Sequence, residues 1–271
     1  MKRQNDGRNK PAEHRVLWTG GWDSTYRVLD LILNQGAVVA PVYVVDPGRR
    51  STEIELATMA AIRARIAQRS QDAAARLRPL ATYDLTGLRP RERFRAHLQA
   101  MRKEAHLGEQ YVWLAELLAA HNLAGLELCI HKDDAAHRFV APCAAVDGDV
   151  CEIADLPEAD PRSLFTGFRF PILEITKPEM ALAAESAGFD DILELSWFCH
   201  SPVGVEACGV CNPCVFTVNE GLARRLPPSA LFRYRFRRLW NVARKIKRAP
   251  RAIMRRLSLR LARTTSVGTP A

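Results

Sequence analysis

The chain has 271 residues, of which 48% are hydrophobic, enough for one α/β domain with a sizeable core and too few for two full domains. Its longest apolar run, residues 37–45, is far shorter than the roughly 18 residues that cross a bilayer, so we expect no membrane span, no export signal and a cytoplasmic location. The net charge of +9 is unevenly distributed, because fifteen of the 39 Lys and Arg lie between Arg224 and Arg263 and no acidic residue follows Glu220. The excess of basic residues therefore belongs to the end of the chain and not to its body.

The first elements read as a strand, a glycine turn and a helix. Residues 14–19 form a short apolar strand, Gly20 and Gly21 turn the chain, and a helical pattern runs from residue 24 to about 35. The Val-rich run 37–45 then has the composition of a parallel strand buried on both faces. This order predicts an α/β fold with a doubly wound, mainly parallel sheet.

The rest of the body continues the alternation of helices and strands. Two pairs, Thr52 with Glu55 and Thr176 with Glu179, have the spacing of a helix capping box. The other predicted elements are a strand at 79–85, a mainly helical stretch at 91–121 with a break near Gly108, a strand at 126–131, an extended segment at 168–174 and a helix from Thr176 to about residue 187, stopped by Gly188.

The turn after the first strand has the composition of an anion-binding loop. It reads Trp-Thr-Gly-Gly-Trp-Asp-Ser-Thr over residues 18–25, and it lies where ligands bind in open parallel sheets. The glycines allow the backbone to approach a phosphate, and Thr19, Ser24 and Thr25 add hydroxyl donors. Asp23 is expected to organise the loop or to approach Mg²⁺. An ordinary glycine-containing turn capped by Asp or Ser is the structural alternative.

Four cysteines form the sharpest motif of the chain. Cys199, Cys208, Cys211 and Cys214 are separated by eight, two and two residues. Two-residue gaps allow neighbouring thiolates to converge on one ion, and four thiolates describe a closed, tetrahedral, structural Zn²⁺ site. An iron–sulfur cluster, a redox pair and incidental free thiols are the alternatives.

These two motifs together resemble a known enzyme family. The loop is similar to the S-G-G-x-D-S loop of PP-loop ATP pyrophosphatases, with Thr19 in place of serine, and its combination with C-x₈-C-x₂-C-x₂-C resembles 7-cyano-7-deazaguanine synthase over residues 15–222. The resemblance implies ATP cleavage to AMP and pyrophosphate with Mg²⁺, activation of a small-molecule carboxylate, and attack by ammonia or another amine to give an amide and then a nitrile. It also implies Asp23 and Ser24 as catalytic residues and a nucleotide site formed by Trp18, Thr19, Gly20, Gly21, Trp22, Asp23, Ser24, Thr25, Tyr26, Arg27 and Val28.

The middle of the chain departs from that family. The arginine–asparagine and glycine–tyrosine–proline–aspartate–cysteine segments of its substrate pocket are missing, so another acceptor or a tRNA substrate is an alternative. Three isolated cysteines would matter only for sulfur transfer, and we interpret them as ordinary core or surface residues. His131, Asp133 and Asp134 are interpreted as a solvated strand end, ahead of an acid/base or metal group. The isolated cysteines are Cys129, Cys143 and Cys151.

The predicted organisation is a flexible segment 1–14, a PP-loop domain 15–225 that includes the zinc knot 199–214, and a basic tail 226–271. Apolar residues at 239, 246 and 253 give the basic tail the pattern of an amphipathic helix. RNA, anionic lipid and an acidic protein surface are the anionic partners that it fits. A zinc-knuckle nucleic-acid-binding protein is therefore the rival to the enzyme, and a homodimer is left open.

Overall fold

The structure is a computed structural model, and it describes residues 13–238. The chain divides into two compact units, the first ending at Phe198 and the second beginning at Cys199. The sequence analysis assigned residues 199–214 to the 15–225 domain, whereas their contacts assign them to the second unit together with the start of the basic tail. Residues 1–12 of the predicted flexible segment 1–14 and the predicted apolar stripe at 239, 246 and 253 lie outside the described residues. The remaining two residues of that segment, Glu13 and His14, belong to the first strand of the sheet.

A seven-stranded sheet organises the first unit. Its strands are β1 (Glu13–Leu17), β2 (Val38–Val45), β3 (Ala81–Asp84), β4 (Leu126–Glu127), β5 (Ala144–Asp147), β6 (Val150–Ile153) and β7 (Phe168–Phe170). Their order across the sheet is β3-β2-β1-β4-β7-β6-β5. The first five strands in this order are parallel, and β6 is antiparallel to both β7 and β5. The predicted α/β fold with a mainly parallel sheet is confirmed.

Helices connect the parallel strands, as expected for this class of sheet. No helix among residues 13–238 is long and apolar enough to cross a membrane. The helices are α1 (Trp22–Leu29), which a π-helical turn continues over Asp30–Asn34, α2 (Thr52–Arg69), α3 (Gln71–Arg76), α4 (Glu92–Met101), α5 (Gln110–His121), α6 (His137–Val140), α7 (Lys177–Ser186), α8 (Asp190–Leu193), α9 (Asn212–Asn219) and α10 (Pro228–Arg235).

The capping box predicted at Thr52 is wrong, because Glu55 is used inside the fold. Helix α2 has Ser51 as its N-cap, without a side-chain capping bond, and the buried Glu55 carboxylate accepts hydrogen bonds from Tyr43 Oη at 2.8 Å and Arg49 Nε at 2.9 Å. The buried Tyr43 hydroxyl needs a partner, and Glu55 supplies it. In contrast, the box at Thr176 is confirmed, with both reciprocal hydrogen bonds present.

The strand predicted at 126–131 is shorter than expected. The strand covers only Leu126–Glu127; the Leu128 N–H still donates to the Arg169 carbonyl of β7 at 2.8 Å, but the Ile130 N–H turns back to the Leu128 carbonyl at 2.9 Å. The β5–β6 hairpin was not predicted, although Gly148, at φ +64°, makes its turn. The hairpin adds two antiparallel strands at the edge of the sheet, beside β7.

A buried group of charged side chains connects α1 to the sheet. Arg27 is 3% exposed, and its guanidinium donates to Glu127 Oε2 at 2.8 Å and to Asp149 Oδ2 at 2.9 Å. His14 Nδ1 lies 2.6 Å from Glu127 Oε1. Burial alone would raise the pKa of Glu127, but the hydrogen bonds from His14 and Arg27 outweigh it and lower the pKa. Arg27 thus holds α1 against β4.

Replacing Arg27 by methionine is expected to destabilise the first unit by about 3–5 kcal/mol, because it leaves a buried carboxylate without its main partner. Urea unfolding of Arg27→Met against wild type measures this. Arg65→Met is the matched control, since Arg65 forms an exposed ion pair with Asp191 and its loss should cost less than about 1 kcal/mol. The contribution of the pair is complete above the ordinary Glu pKa of 4.5 and is lost as the pH falls through the lower folded value, so the difference between the Arg27 variant and wild type should shrink in acid. Equal losses of unfolding free energy in Arg27→Met and Arg65→Met would contradict the assignment of Arg27 as the main partner of the buried Glu127.

Candidate functional site

The glycine loop lies at the topological switch point of the sheet, where the order of the strands reverses. Strand β1 is flanked by β2 on one side and by β4 on the other, so the connections that follow β1 and β4 diverge. In open parallel sheets a ligand crevice forms at this point, outside the carboxyl ends of the strands. The loop 18–21 and the first turn of α1 occupy that place.

Hydrogen bonds inside the loop use two of the predicted hydroxyl groups. The Thr19 N–H points at Ser24 Oγ at 3.4 Å, and Ser24 Oγ in turn donates to the Gly21 carbonyl at 3.5 Å. The Trp18 indole N–H donates to Thr25 Oγ1 at 3.0 Å, and both of these residues are fully buried. Ser24 and Thr25 therefore shape the loop, and Ser24 contacts its backbone directly.

Gly20 is required by its conformation and by its surroundings. Its φ of +68° is in the left-handed region that favours glycine. A Cβ atom there would lie 3.2 Å from Met59 Cγ and 3.3 Å from the Glu55 carbonyl oxygen, both on α2. The Gly20 carbonyl also accepts a hydrogen bond from the Trp197 N–H at 2.7 Å. Helix α2 and the Trp197 N–H thus fix the backbone of the loop at Gly20. Gly21, the N-cap of α1, connects the loop to the helix.

Asp23 interacts electrostatically with charged groups that follow two other parallel strands. Its Oδ1, in the first turn of α1 after β1, lies 4.0 Å from Nζ of Lys177, the first residue of α7 after β7. Asp134 lies in the segment that follows β4. Burial raises the pKa of Asp134 and the Asp23 charge raises it further, whereas the hydrogen bond from the Ala136 N–H and the charges of His131 and Lys177 oppose the shift. Asp23 and Lys177 are therefore the charged pair whose contact the structure shows next to the loop.

The interpretation of the segment after β4 as a solvated strand end is wrong for one of its residues. Asp133 is exposed, but His131 is only 4% exposed and its Nδ1 accepts the Asp133 N–H at 3.2 Å. Lys177 was not among the predicted site residues. The available signal was its position, since it opens a capped helix directly after a parallel strand, as Asp23 does after β1.

The remaining predicted nucleotide contacts lie in the body of α1. Trp22 and Val28 are buried, and the Tyr26 ring packs at 6.0 Å from the Phe189 ring. Arg27 donates to Glu127 and Asp149, as described above. These four side chains support the helix that carries Asp23 and Ser24.

The four clustered cysteines converge in the second unit. Their Sγ atoms all lie within 4.8 Å of one another, with separations of 3.4 Å for Cys211–Cys214 and 3.8 Å for Cys208–Cys214 and Cys199–Cys211. A tetrahedral Zn²⁺ with bonds of about 2.3 Å needs sulfur atoms about 3.8 Å apart. The four-cysteine group can therefore hold a zinc ion.

Backbone groups favour thiolates at this site. The Cys208 N–H points at Cys199 Sγ at 3.2 Å, and the N–H groups of Val210 and Cys211 point at Cys208 Sγ at 3.4 and 3.3 Å. Hydrogen bonds among the four thiols, first of all that with Cys199, lower the pKa of Cys211 to about 7, while the same network raises the pKa of Cys199 and Cys214, so the backbone N–H groups are the contacts that favour thiolates independently of it. Metal binding requires deprotonated sulfur, so this arrangement suits it.

Helix α10 packs directly on the cysteine turn. Arg233 donates to the Cys208 carbonyl from Nε and to the Ala207 carbonyl from Nη2, both at 2.9 Å. Gly209 has φ +76°, and a Cβ atom there would overlap the carbonyl of the buried Ala230. The beginning of the basic tail is therefore part of the folded second unit.

Gly209→Ala should separate α10 from the cysteine turn, because it adds both left-handed strain and a steric overlap. Gly204→Ala is the matched control: Gly204 also has a positive φ, +61°, but nothing lies within 4 Å of its Cβ position. The control should cost only about 1 kcal/mol of strain. Thermal unfolding and the rate of zinc release to a chelator compare the two. Equal unfolding temperatures and equal rates of zinc release in the two variants would contradict the packing of α10 on the cysteine turn.

No protein-family model matches the sequence, and no curated protein matches it. The function is therefore argued from the two sites and the fold that positions them.

The isolated cysteines offer little support for sulfur transfer. Burial raises the pKa of the thiols of Cys129, Cys143 and Cys151, most strongly for Cys129, where the charges of Glu127 and Asp23 add to the shift. A protonated thiol is a poor nucleophile. The raised pKa values keep these three thiols protonated at neutral pH.

Proposed function

We propose that this chain is an ATP-dependent enzyme of the PP-loop type, which cleaves ATP to AMP and pyrophosphate in order to activate a carboxylate for carbon–nitrogen bond formation. The observation that carries the proposal is the Gly20-Gly21 loop at the switch point of the parallel sheet. Asp23 of the first turn of α1 lies 4.0 Å from Lys177, and both residues interact electrostatically with Asp134, which follows β4. A purely structural glycine turn would not need these ionisable groups.

The loop is suited to the terminal phosphates of ATP. Gly20 and Gly21 carry no side chains, so a phosphate can approach the backbone of the loop closely, and the helix dipole at the start of α1 favours an anion there. The hydroxyl groups of Ser24 and Thr25 keep the loop in this shape before the substrate arrives. Such preorganisation lowers the cost of holding a highly charged substrate.

Two carboxylates, Asp23 and Asp134, provide the kind of oxygen donors that Mg²⁺ prefers, and they interact electrostatically with each other. Mg²⁺ bound there would offset the charge of the phosphates. Lys177 would contribute a fixed positive charge at the same edge. Its role is to stabilise the negative charge that moves onto the departing pyrophosphate.

The proposed reaction has two displacements. A carboxylate oxygen of the acceptor attacks the α-phosphorus of ATP, the bond from that phosphorus to the β-bridging oxygen breaks, and pyrophosphate leaves with the electron pair. Ammonia or another amine then attacks the acyl carbon, AMP leaves, and the nitrogen loses a proton to give an amide. Correct positioning supplies most of the acceleration, so no activated serine or cysteine is needed.

The resemblance to 7-cyano-7-deazaguanine synthase supports 7-carboxy-7-deazaguanine as the first acceptor to test. In that case the amide oxygen attacks the α-phosphorus of a second ATP and pyrophosphate leaves; the nitrogen then loses its two protons as the carbon–oxygen bond breaks, which releases AMP and leaves the nitrile. The departures in the middle of the chain favour keeping other carboxylates and tRNA as acceptors in the same experiment.

The test is incubation of the zinc-loaded protein with ATP, Mg²⁺, ammonium and 7-carboxy-7-deazaguanine, with products followed by mass spectrometry. Gly20→Ala and Gly36→Ala form a matched pair, because both glycines have φ near +65° but only Gly20 is crowded by α2. The proposal expects AMP together with amide or nitrile from wild type and Gly36→Ala, and strongly reduced turnover from Gly20→Ala. AMP without change in the deazaguanine would keep the ATP chemistry and redirect the search for the acceptor. No AMP with any carboxylate would reject the proposal.

A further inference from the structure

The outer side of α10 carries exposed aromatic and arginine side chains. Phe232 is 65% exposed and Phe236, the C-cap of the helix, is 43% exposed, and their ring centroids lie 4.8 Å apart. Arg235 is exposed three residues after Phe232, a spacing that places both on one side of a helix. The opposite side, with Ala230 and Arg233, packs on the cysteine turn. Two large apolar rings are thus presented to solvent from a rigidly seated helix.

The charge around these rings has one sign. Arg235, Phe236, Arg237 and Arg238 line a surface cavity of about 360 Å³. Within residues 13–238, no acidic side chain pairs with Arg235 or Arg238, and the sequence contains no acidic residue after Glu220. The same region of the sequence carries fifteen Lys and Arg from Arg224 to Arg263. This surface is complementary to a polyanion.

The arrangement favours a nucleic acid over a membrane. A helix that lies in a lipid interface separates its apolar face from its basic face. On α10 and its C-cap, Arg235 lies on the same exposed side as the two phenylalanines. Rings and guanidinium groups mixed on one surface suit a strand whose bases stack and whose phosphates follow the positive charge. A duplex would offer its phosphates but would keep its bases stacked within the helix.

We propose that the outer face of α10, formed by Phe232, Arg235, Phe236 and Arg238, binds single-stranded nucleic acid. The two rings stack with bases, the arginines contact phosphates, and the tetracysteine turn fixes the helix that presents them. This inference does not depend on the ATP chemistry, because it concerns residues of the second unit alone.

Fluorescence anisotropy of the full-length, zinc-loaded protein tests the proposal. Three labelled strands of about 20 nucleotides are compared: an oligouridylate, an oligothymidylate, and an abasic strand of equal charge. The first two distinguish RNA from DNA, and the third removes the bases while keeping the phosphates. We expect the abasic strand to bind at least tenfold more weakly. Phe232→Ala/Phe236→Ala should weaken binding of the base-containing strands by about tenfold or more and should leave abasic binding unchanged.

Arg235→Gln/Arg238→Gln should instead weaken all three strands and reduce the slope of log affinity against log salt by about 1.4, the value for two phosphate contacts on a single strand. Val205→Ala, at an exposed apolar residue of the same unit, controls for loss of hydrophobic surface. Zinc content and thermal unfolding verify that each variant is folded. Equal affinity for abasic and base-containing strands, or binding to phosphatidylserine vesicles that the Phe variants abolish while strand binding persists, would overturn the proposal.

Discussion

Cys214→Ser is expected to empty the tetracysteine site of zinc and to unfold residues 199–238. Cys214 is fully buried, and its sulfur lies 3.4 Å from that of Cys211. The described part of the second unit has about 40 residues, a size at which an apolar core rarely suffices without a metal or a disulfide. Structural zinc contributes roughly 10–16 kcal/mol to folding in zinc-finger peptides. Losing one ligand should therefore remove most of the stability of this unit.

Elemental analysis and hydrogen exchange at α9 and α10 measure this effect. Wild type should contain one zinc per chain, and Cys214→Ser should contain none and lose protection in both helices. Cys143→Ser is the matched control, since Cys143 is a half-buried thiol outside the cluster. Finding iron and sulfide in the wild-type protein would identify the site as an iron–sulfur cluster instead of a zinc site. Helices that stay protected from exchange in a metal-free variant would contradict a structural role for any metal.

Lys177→Met is expected to slow formation of AMP by about 10²–10³-fold, with little change in thermal stability. The Lys177 ammonium is 4.0 Å from Asp23 and lies at the loop that is proposed to hold the phosphates. Because the charge is needed most while pyrophosphate departs, the loss should appear in kcat more than in KM.

Two further variants make this result specific. Lys177→Arg should retain part of the activity, since the charge remains but the compact ammonium does not. Lys103→Met, at an exposed lysine after α4, should behave as wild type. A kcat of Lys177→Met equal to that of wild type would remove Lys177 from the proposed site and leave Asp23 and the loop to account for catalysis.

Periodicity and turn residues were sufficient for the parallel part of the fold. The strand, glycine turn and helix at the start of the chain, the break near Gly108 and the Thr176 capping box depend on local sequence, so the sequence predicts them. Glu55 was misassigned because its partner, Tyr43, lies on a neighbouring strand, and capping-box spacing cannot reveal a long-range hydrogen bond. The short β4 was misjudged for a related reason, since apolar residues continue after the pairing ends.

The sequence predicts the cysteine cluster better than it predicts the charged residues near the glycine loop. Spacing alone located the cysteines, because short gaps force their sulfurs together. It could not connect Lys177 and Asp134 with Asp23, since the order of strands in the sheet determines that these residues interact. Arg27 was predicted to contact the nucleotide from the family resemblance. The structure adds a contact that the sequence could not predict, the pairing of Arg27 with Glu127 on β4.

Transfer of a carboxylate oxygen to AMP is the most direct test of ATP-dependent carboxylate activation by this protein. The protein would be given ATP, Mg²⁺, ammonium and ¹⁸O-carboxyl-labelled 7-carboxy-7-deazaguanine, then a panel of other labelled carboxylates, and the nucleotide products would be weighed by mass spectrometry. We expect pyrophosphate and AMP carrying one ¹⁸O atom, because the bond that forms joins the carboxylate oxygen to the α-phosphorus. ADP and inorganic phosphate, or AMP that never acquires the label, would contradict it.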